Sequence, residues 1–239
     1  MTLLPVPKFR TIGTVIPVAA GIDAALVVLG LILTPTTIGP EGHGALGAAA
    51  ALVMLAAYGI WGVLGSQAVE RRDPRILQTA GRLGLAIGSV FVAEILFEYL
   101  VLPSSKGNER LAYVEFGGMF LFLFLAGFIG GRLANRIRDG VLTAIWSAMI
   151  GSLAWVGGLL STYYMFFRTA RQDQVLAADQ VFEDFKRSGM TDLRAFIMQD
   201  YLGGIFFHLL LGLIVATVLG TLGALTAKLA TRLLSPHGE

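Results

Sequence analysis

Six long apolar stretches constrain this chain more than any other feature of its sequence. A helix rises about 1.5 Å per residue, so roughly 20 apolar residues cross a hydrocarbon core of about 30 Å. In a chain that does not close into a barrel, only helices satisfy every backbone polar group in lipid. The sequence therefore predicts an all-α, polytopic transmembrane helical bundle with spans at about 11–34, 45–65, 79–102, 113–134, 141–167 and 201–229.

The composition agrees with a protein that has little mass outside the bilayer. Its mean hydropathy is +0.73, and only 14% of its residues are charged. With six spans, 239 residues leave room for a single membrane domain over 1–239 and short connections. The chain has no cysteine, which excludes disulfides, thiolate metal ligands and a cysteine nucleophile. The net charge of +2 indicates basic loops and gives no reason to expect a nucleic-acid partner.

The connection between spans five and six, residues 168–200, is the one sizeable piece outside the spans. Apolar residues recur in it at helical spacing, at Val175, Ala178, Phe182 and Phe185. Ser188-Gly189 predicts a helix end and Thr191-Asp192 a new N-cap. We therefore expect a short extramembrane amphipathic helical segment. It either lies on the outer leaflet or caps the bundle, and the alternative is a lid or docking surface.

Lysines and arginines in the connections predict the orientation. The densest short basic loops follow spans two and four, with Arg71, Arg72 and Arg75 in the first and Arg132, Arg136 and Arg138 in the second. Because short basic loops stay in the cytoplasm, both termini are expected there. The predicted location is a bacterial-type plasma membrane, with the lipid bilayer as the first partner. Tryptophans and tyrosines near the span ends are expected to form aromatic belts.

Small residues at every fourth position predict close helix packing. In lipid, such faces let backbones approach and gain van der Waals contact. The glycines expected at these crossings lie in spans three, four and six, at Gly84, Gly88, Gly127, Gly130, Gly131, Gly212 and Gly220. Two alternatives stay open: the faces pack within one chain, or they contact a second copy or another membrane protein.

Ionisable residues inside the spans are the candidate functional site, because a charge in hydrocarbon costs several kcal/mol unless it is paired or wet. Asp23 lies near the middle of span one, beyond Pro17, which is expected to interrupt the helix. By helix rise, Glu94, Glu98 and His208 lie about 12, 6 and 10 Å below the outer end of their spans, and Glu115 begins span four at the same level. We expect Glu94 and His208 to share a hydrogen bond or line one cavity.

Three interpretations of this polar layer remain. The groups satisfy one another inside the bundle, they line a cavity that binds a cation or proton, or they hold a metal. Metal-ligand, nucleophile-elbow and Walker A motifs are absent from the sequence, so neither enzyme activity, a metal nor a cofactor is expected. The favoured function is transport or permeation of a small solute, ion or proton through the acidic outer half. The alternative is a non-catalytic scaffold, assembly or sensing subunit.

Overall fold

The computed structural model describes residues 12–39, 43–71, 73–101 and 109–234, and for residues 109–112, 114–115 and 234 only the backbone. The protein is an all-α bundle, as predicted, and the described residues include six helices long and apolar enough to cross a membrane. These are α1 (Ile12–Leu33), α2 (Gly44–Glu70), α3 (Pro74–Leu100), α4 (Glu109–Ala134), α5 (Ile137–Met165) and α8 (Leu193–Leu234). Two short helices, α6 (Ala170–Ala178) and α7 (Val181–Ser188), connect α5 to α8, and a 3₁₀ turn, Pro35–Ile38, follows α1.

Several helices extend beyond the apolar stretches that predicted them, because caps rather than hydropathy set their ends. The α3 helix begins at Pro74, whose fixed φ suits the first helical position, and the Asp73 side chain accepts a hydrogen bond from the Arg75 amide at 3.0 Å. The α8 helix begins after Asp192, whose Oδ1 accepts from the amides of Arg194 (2.8 Å) and Ala195 (3.2 Å). The predicted interruption at Pro17 is wrong, since α1 is helical through it.

The bundle is built around α5, the most buried of the spans. It contacts α1, α3, α4 and α8, while α2 packs mainly against α1 and α8. The six long helices alternate in direction along the chain. The short helices α6 and α7 lie between α5 and α8 in the sequence. We call the end of the bundle that carries these two helices the α6–α7 end. At the opposite end, α4 and α5 form an antiparallel hairpin, closed by Asn135 with a φ of 52°.

Glycines lie where α4, α5 and α8 cross. Gly127 of α4 contacts the backbone of Gly220 on α8, and Gly130 faces the Thr143 side chain on α5. A Cβ added at Gly220 would lie 2.6 Å from the Cβ of Ala144. The α3–α5 contact is similar, because a Cβ at Gly88 would lie 2.6 Å from that of Ala154. Among the other predicted packing glycines, Gly131 faces Ala224, Gly84 faces Ile150, and Gly212 faces the Ser152 hydroxyl.

The segment between α5 and α8 is helical and folds onto the bundle. Gly189 has a φ of 72°, the left-handed conformation in which glycine commonly ends a helix. The break between α6 and α7 was not predicted, because Gln180 adopts the left-handed conformation (φ 58°) without a glycine to signal it. Arg171 of α6 donates hydrogen bonds to the backbone carbonyls of Tyr99 (2.5 Å) and Glu98 (2.9 Å) at the end of α3. The segment is thus attached to the bundle end through the final turn of α3.

Candidate functional site

Polar groups from several helices surround the middle of α5. They contact Ser152, Trp155 and Gly157, which span about 7.5 Å along the helix by its rise per residue. Successive helical residues turn by about 100°, so these three positions point in different directions. The sequence predicted a polar layer at about this depth. In the structure, the polar groups that contact Ser152, Trp155 and Gly157 lie on different sides of α5.

Asp23 is the most buried acid among the predicted residues. It lies halfway along α1, and only 2% of its surface is exposed. Its carboxyl points at Gly157, since a Cβ added there would lie 2.9 Å from Asp23 Oδ1. The other oxygen, Oδ2, is buried and accepts a hydrogen bond from no described residue. A polar atom in this state costs free energy, on the order of 1–3 kcal/mol for a neutral group and more for a charge.

His208 is held between aromatic rings. Its imidazole stacks on the Trp155 indole, with centroids 4.0 Å apart and planes inclined by 14°. The Phe91 ring meets it edge-on at 5.4 Å and 78°. This packing fixes the imidazole plane by contacts from α3 and α5.

Asp23 and His208, two of the five predicted site residues, contact different sides of α5. Trp155 and Gly157 point about 200° apart around α5, so the His208 and Asp23 contacts lie on opposite sides of it. Glu94 and Glu98 are half-buried, and both have interaction partners. Glu94 lies one turn beyond Phe91, which contacts His208, and the Glu94–His208 hydrogen bond stays a prediction. The side chain of Glu115 lies outside the described residues.

His208 does line a partly open cavity, of about 120 Å³, between α3, α4, α5 and α8. The Ser152 hydroxyl also lines it, and most of the remaining wall is apolar, including Phe91, Phe116 and Phe120. The Tyr58 hydroxyl lies beside Ser152 and donates a hydrogen bond to the Leu209 carbonyl at 2.8 Å. A cavity of this size with two polar groups has room for several waters or a very small solute.

A second polar cluster, at the α6–α7 end, was missed by the sequence analysis. The Gln172 side chain is completely buried, donates to the Tyr163 carbonyl (3.3 Å) and accepts from the Arg168 amide (3.0 Å) and the Arg194 guanidinium (2.7 Å). The Tyr163 ring packs edge-on against that of Tyr201, with centroids 5.3 Å apart. The only sequence signal for burial in this segment was the helical spacing of its apolar residues, and that pattern does not include Gln172.

Several aromatic residues expected in the interfacial belts are buried inside the protein instead. Tyr99 and Tyr163 are buried inside the protein, and so is Trp146, while Trp61 and Tyr113 are exposed. Aromatic residues near span ends therefore serve here mainly as packing between helices and the connecting segment. They support the orientation less than the sequence suggested.

Asp192 connects the start of α8 to the 3₁₀ turn after α1. The Thr36 hydroxyl donates a hydrogen bond of 2.6 Å to Asp192 Oδ2. This bond, together with the amides of Arg194 and Ala195, favours the carboxylate form and lowers the pKa of Asp192 below its usual value. The pKa of Asp73 is lowered in the same way, mainly by its hydrogen bond to Arg75.

The described residues contain no group of three or more His, Asp or Glu side chains placed to hold a metal ion. His43, at the start of α2, lies apart from the aromatic surroundings of His208. Comparison of the chain with protein family models, with curated proteins and with solved structures finds no match.

Proposed function

We propose that this multi-pass membrane protein transports or conducts a small solute, ion or proton, and that the Asp23 carboxyl is its central group. The observation that carries the proposal is the state of Asp23, buried at mid-span with Oδ2 unbonded by any described residue. Burying an ionisable residue at this depth costs free energy, and such residues are found mostly in ion and proton pathways.

A purely structural role explains this carboxyl poorly. A scaffold gains nothing from a buried oxygen that no described residue bonds, and an apolar side chain of similar size would cost less free energy at this position. The adjacent Gly157 leaves the space that the carboxyl occupies. The site is therefore shaped around a group that weakens the fold, as functional groups often do.

The proton is the first substrate to test. The cavity beside His208 and Ser152 offers a titratable imidazole and a hydroxyl at the same level of the bundle as Asp23. Glu94 and Glu98 extend the set of ionisable groups along α3 towards the α6–α7 end. A route that joins these groups would pass around α5 and would require the helices to move relative to one another.

The orientation and location belong to the same proposal. Basic residues at the turn between α2 and α3 and at the hairpin between α4 and α5 support a bacterial-type plasma membrane with both termini in the cytoplasm. The α6–α7 end then faces outwards. Lipids are the proposed partners, and the exposed small-residue faces make a second copy the next candidate.

Proton flux into proteoliposomes tests the proposal. The purified protein is reconstituted with an internal pH-sensitive dye, and a potassium diffusion potential drives proton entry. Asp23→Asn is expected to lower the protein-dependent rate at least about tenfold, equivalent to roughly 1.4 kcal/mol. Its melting temperature in detergent is expected to be unchanged or higher, because an amide carries no charge to bury.

Asp139→Asn is the matched control, since Asp139 is also a buried acid but lies in the first turn of α5. It is expected to retain flux. If the wild-type protein shows no flux above empty liposomes, proton conduction is excluded, and other ions and small solutes are tested in the same vesicles. If Asp23→Asn unfolds the protein while conduction by the remaining folded fraction is normal, the carboxyl is structural and the proposal fails.

The second candidate function is a scaffold or assembly subunit, and a groove between α1 and α2 favours it. This groove of about 570 Å³ is almost wholly apolar and includes small residues at Ala20, Gly21, Ala24, Ala56 and Gly59. Nothing lies within 4 Å of a Cβ added at Gly21, so Gly21→Leu should leave the bundle intact. Loss of a crosslinked dimer or of a co-purifying membrane protein in that variant would support this function.

A further inference from the structure

The partly open cavity lined by His208 has the size of a small ligand site. We call it the His208 cavity. Its volume is about 120 Å³, and it lies between α3, α4, α5 and α8. An apolar cavity of roughly 150 Å³ holds one benzene molecule. The His208 cavity therefore has room for a single six-membered ring whose substituent leaves through the opening.

The cavity forms because α4 and α8 diverge from a close crossing. A Cβ added at Gly127 of α4 would lie 2.6 Å from the Cα of Gly220 on α8. His208 precedes Gly220 by about 18 Å of helix. At the same distance from the crossing on α4, nothing lies within 4 Å of a Cβ added at Gly117. The gap between the two helices is thus a consequence of their crossing geometry.

The opening of the His208 cavity faces the hydrocarbon of the membrane. Phe116 and Phe120 of α4 and Leu211 of α8 line the cavity, and each is at least 40% exposed on the surface of a spanning helix. Among the described residues that line the cavity, none is Asp, Glu, Lys or Arg. A charged ligand would find no counter-charge there, so the ligand that fits is uncharged and reaches the cavity from the lipid.

Two polar groups on the cavity wall require more of the ligand than an apolar body. A neutral imidazole such as that of His208 carries one N–H donor, and the Ser152 hydroxyl can donate or accept. The Trp155 indole covers a face of the imidazole, whereas a hydrogen bond to the imidazole forms at its edge. An acyl chain would offer no hydrogen bond to either group, which costs free energy. The ligand is therefore expected to carry an oxygen.

The remaining wall favours a planar ring. Phe91, Phe116 and Phe120 contribute aromatic side chains to it, and Met119 contributes a thioether. Aromatic rings attract one another in edge-on and offset arrangements, and thioether sulfurs make favourable contacts with ring edges. A planar ring gains these contacts, and a saturated chain of similar volume does not.

We propose that the His208 cavity binds a lipid-soluble benzoquinone, an uncharged planar ring with carbonyl oxygens and an apolar tail. The ring enters between α4 and α8, and one carbonyl accepts a hydrogen bond from the His208 N–H. The tail leaves past Phe116 and Leu211 into the lipid. This inference does not rest on the proposed transport function, because Asp23 contacts the opposite side of α5.

Binding of decylplastoquinone to the whole protein in detergent tests the site, measured by quenching of tryptophan fluorescence. Trp155 adjoins the cavity through its contact with His208. All measurements use a Trp61→Phe background, because the exposed Trp61 would report partition of the quinone into the micelle. Decylbenzene has a ring and the same tail but no oxygen, and its binding is measured by competition. The quinone is expected to bind at least about tenfold more tightly than decylbenzene.

Two variants and a control separate the contributions of hydrogen bonding and shape. His208→Phe keeps an aromatic ring against Trp155 but removes the N–H, so it is expected to weaken quinone binding at least about tenfold and to leave decylbenzene binding unchanged. Val215→Phe is expected to fill the cavity and weaken binding of both probes without lowering the melting temperature of the ligand-free protein. His43→Phe removes an exposed imidazole at the start of α2 and is expected to change neither.

Equal affinity for the quinone and decylbenzene, or unchanged quinone affinity in His208→Phe, would overturn the proposal. So would a phospholipid that native mass spectrometry finds on the parent protein and not on Val215→Phe, because an acyl chain would then occupy the cavity. If Val215→Phe fails to fold, His208→Phe and His43→Phe still decide the question. Asp23→Asn is expected to bind the quinone normally, so a failure of the transport proposal and a failure of this one are distinguishable.

Discussion

The carboxyl of Asp23 on α1 faces Gly157 on α5 so closely that a Cβ at Gly157 would lie 2.9 Å from Oδ1. The glycine therefore leaves room for the acid. Its neighbour Gly158 faces a different helix, where an added Cβ would lie 2.9 Å from Val92 Cγ2 of α3. The two adjacent glycines thus provide a matched pair of positions, one beside a polar group and one beside an apolar group.

Gly157→Ala is expected to displace the Asp23 carboxyl and reduce proton flux in proteoliposomes, while Gly158→Ala retains it. The steric cost is comparable, about 1–3 kcal/mol, because each methyl must displace the end of one side chain. In both variants the higher helix propensity of alanine offsets up to about 1 kcal/mol of this cost. Similar melting temperatures with different flux would connect Asp23 to function, whereas equal loss of flux in both variants would indicate a general packing defect.

Glycines at helix crossings are expected to be essential for stability. Gly130→Leu and Gly220→Leu should each lower the free energy of unfolding by more than about 3 kcal/mol, because the new side chain meets neighbouring helices. Gly117→Leu is the control, since a Cβ at Gly117 has nothing within 4 Å. Thermal unfolding in detergent gives the comparison, and equal melting of all three would show that the α4–α5–α8 contact is not tight.

The spans were predictable because the hydrophobic thickness of a bilayer sets their length and composition. Positions such as Gly88 and Gly220 were predictable because close crossing in lipid requires small residues at regular spacing. Helix ends were less predictable. The start of α3, for example, depends on a hydrogen bond from the Arg75 amide to Asp73. That bond lies outside the apolar stretch.

The neighbours of a helix cannot be derived from its own periodicity, and this limited prediction of the site. The depths of Asp23 and His208 follow from counting residues, yet their directions depend on where α1 and α8 pack around α5. The burial of Gln172 was equally hidden, because it results from α6 folding back over Tyr163 and Arg194. The depth of a residue in its span follows from the local sequence, whereas the direction of its side chain depends on how the helices pack.

Asp192 is expected to make the α6–α7 end sensitive to acid. Its pKa in the folded protein is lowered, chiefly by the Thr36 hydroxyl, so its stabilising contribution is complete above the unfolded value of about 3.9. As the pH falls from that value through the lower folded pKa, the contribution is lost. Asp192→Ala should cost about 1 kcal/mol at neutral pH, the usual effect of losing an N-cap, and less at pH 3. Melting temperature against pH measures both.

Thr36→Val separates the two parts of this arrangement. It removes the hydroxyl that bonds Asp192 Oδ2 but leaves the amide bonds from Arg194 and Ala195. We expect a smaller loss of stability than in Asp192→Ala and a weaker dependence on pH than in the wild type. An unchanged acid transition in both variants would show that other carboxyls control the acid stability.

The orientation can be read directly, because the chain contains no cysteine. Single cysteines are placed at Glu70, beside the α2–α3 turn, and at Lys186 of α7, both of which are exposed. With both termini in the cytoplasm, a membrane-impermeant maleimide added to intact cells should label Lys186→Cys and not Glu70→Cys. Permeabilised cells provide the control, since both positions should then react. Labelling of Glu70→Cys alone in intact cells would reverse the orientation, placing the α6–α7 end at the cytoplasmic surface.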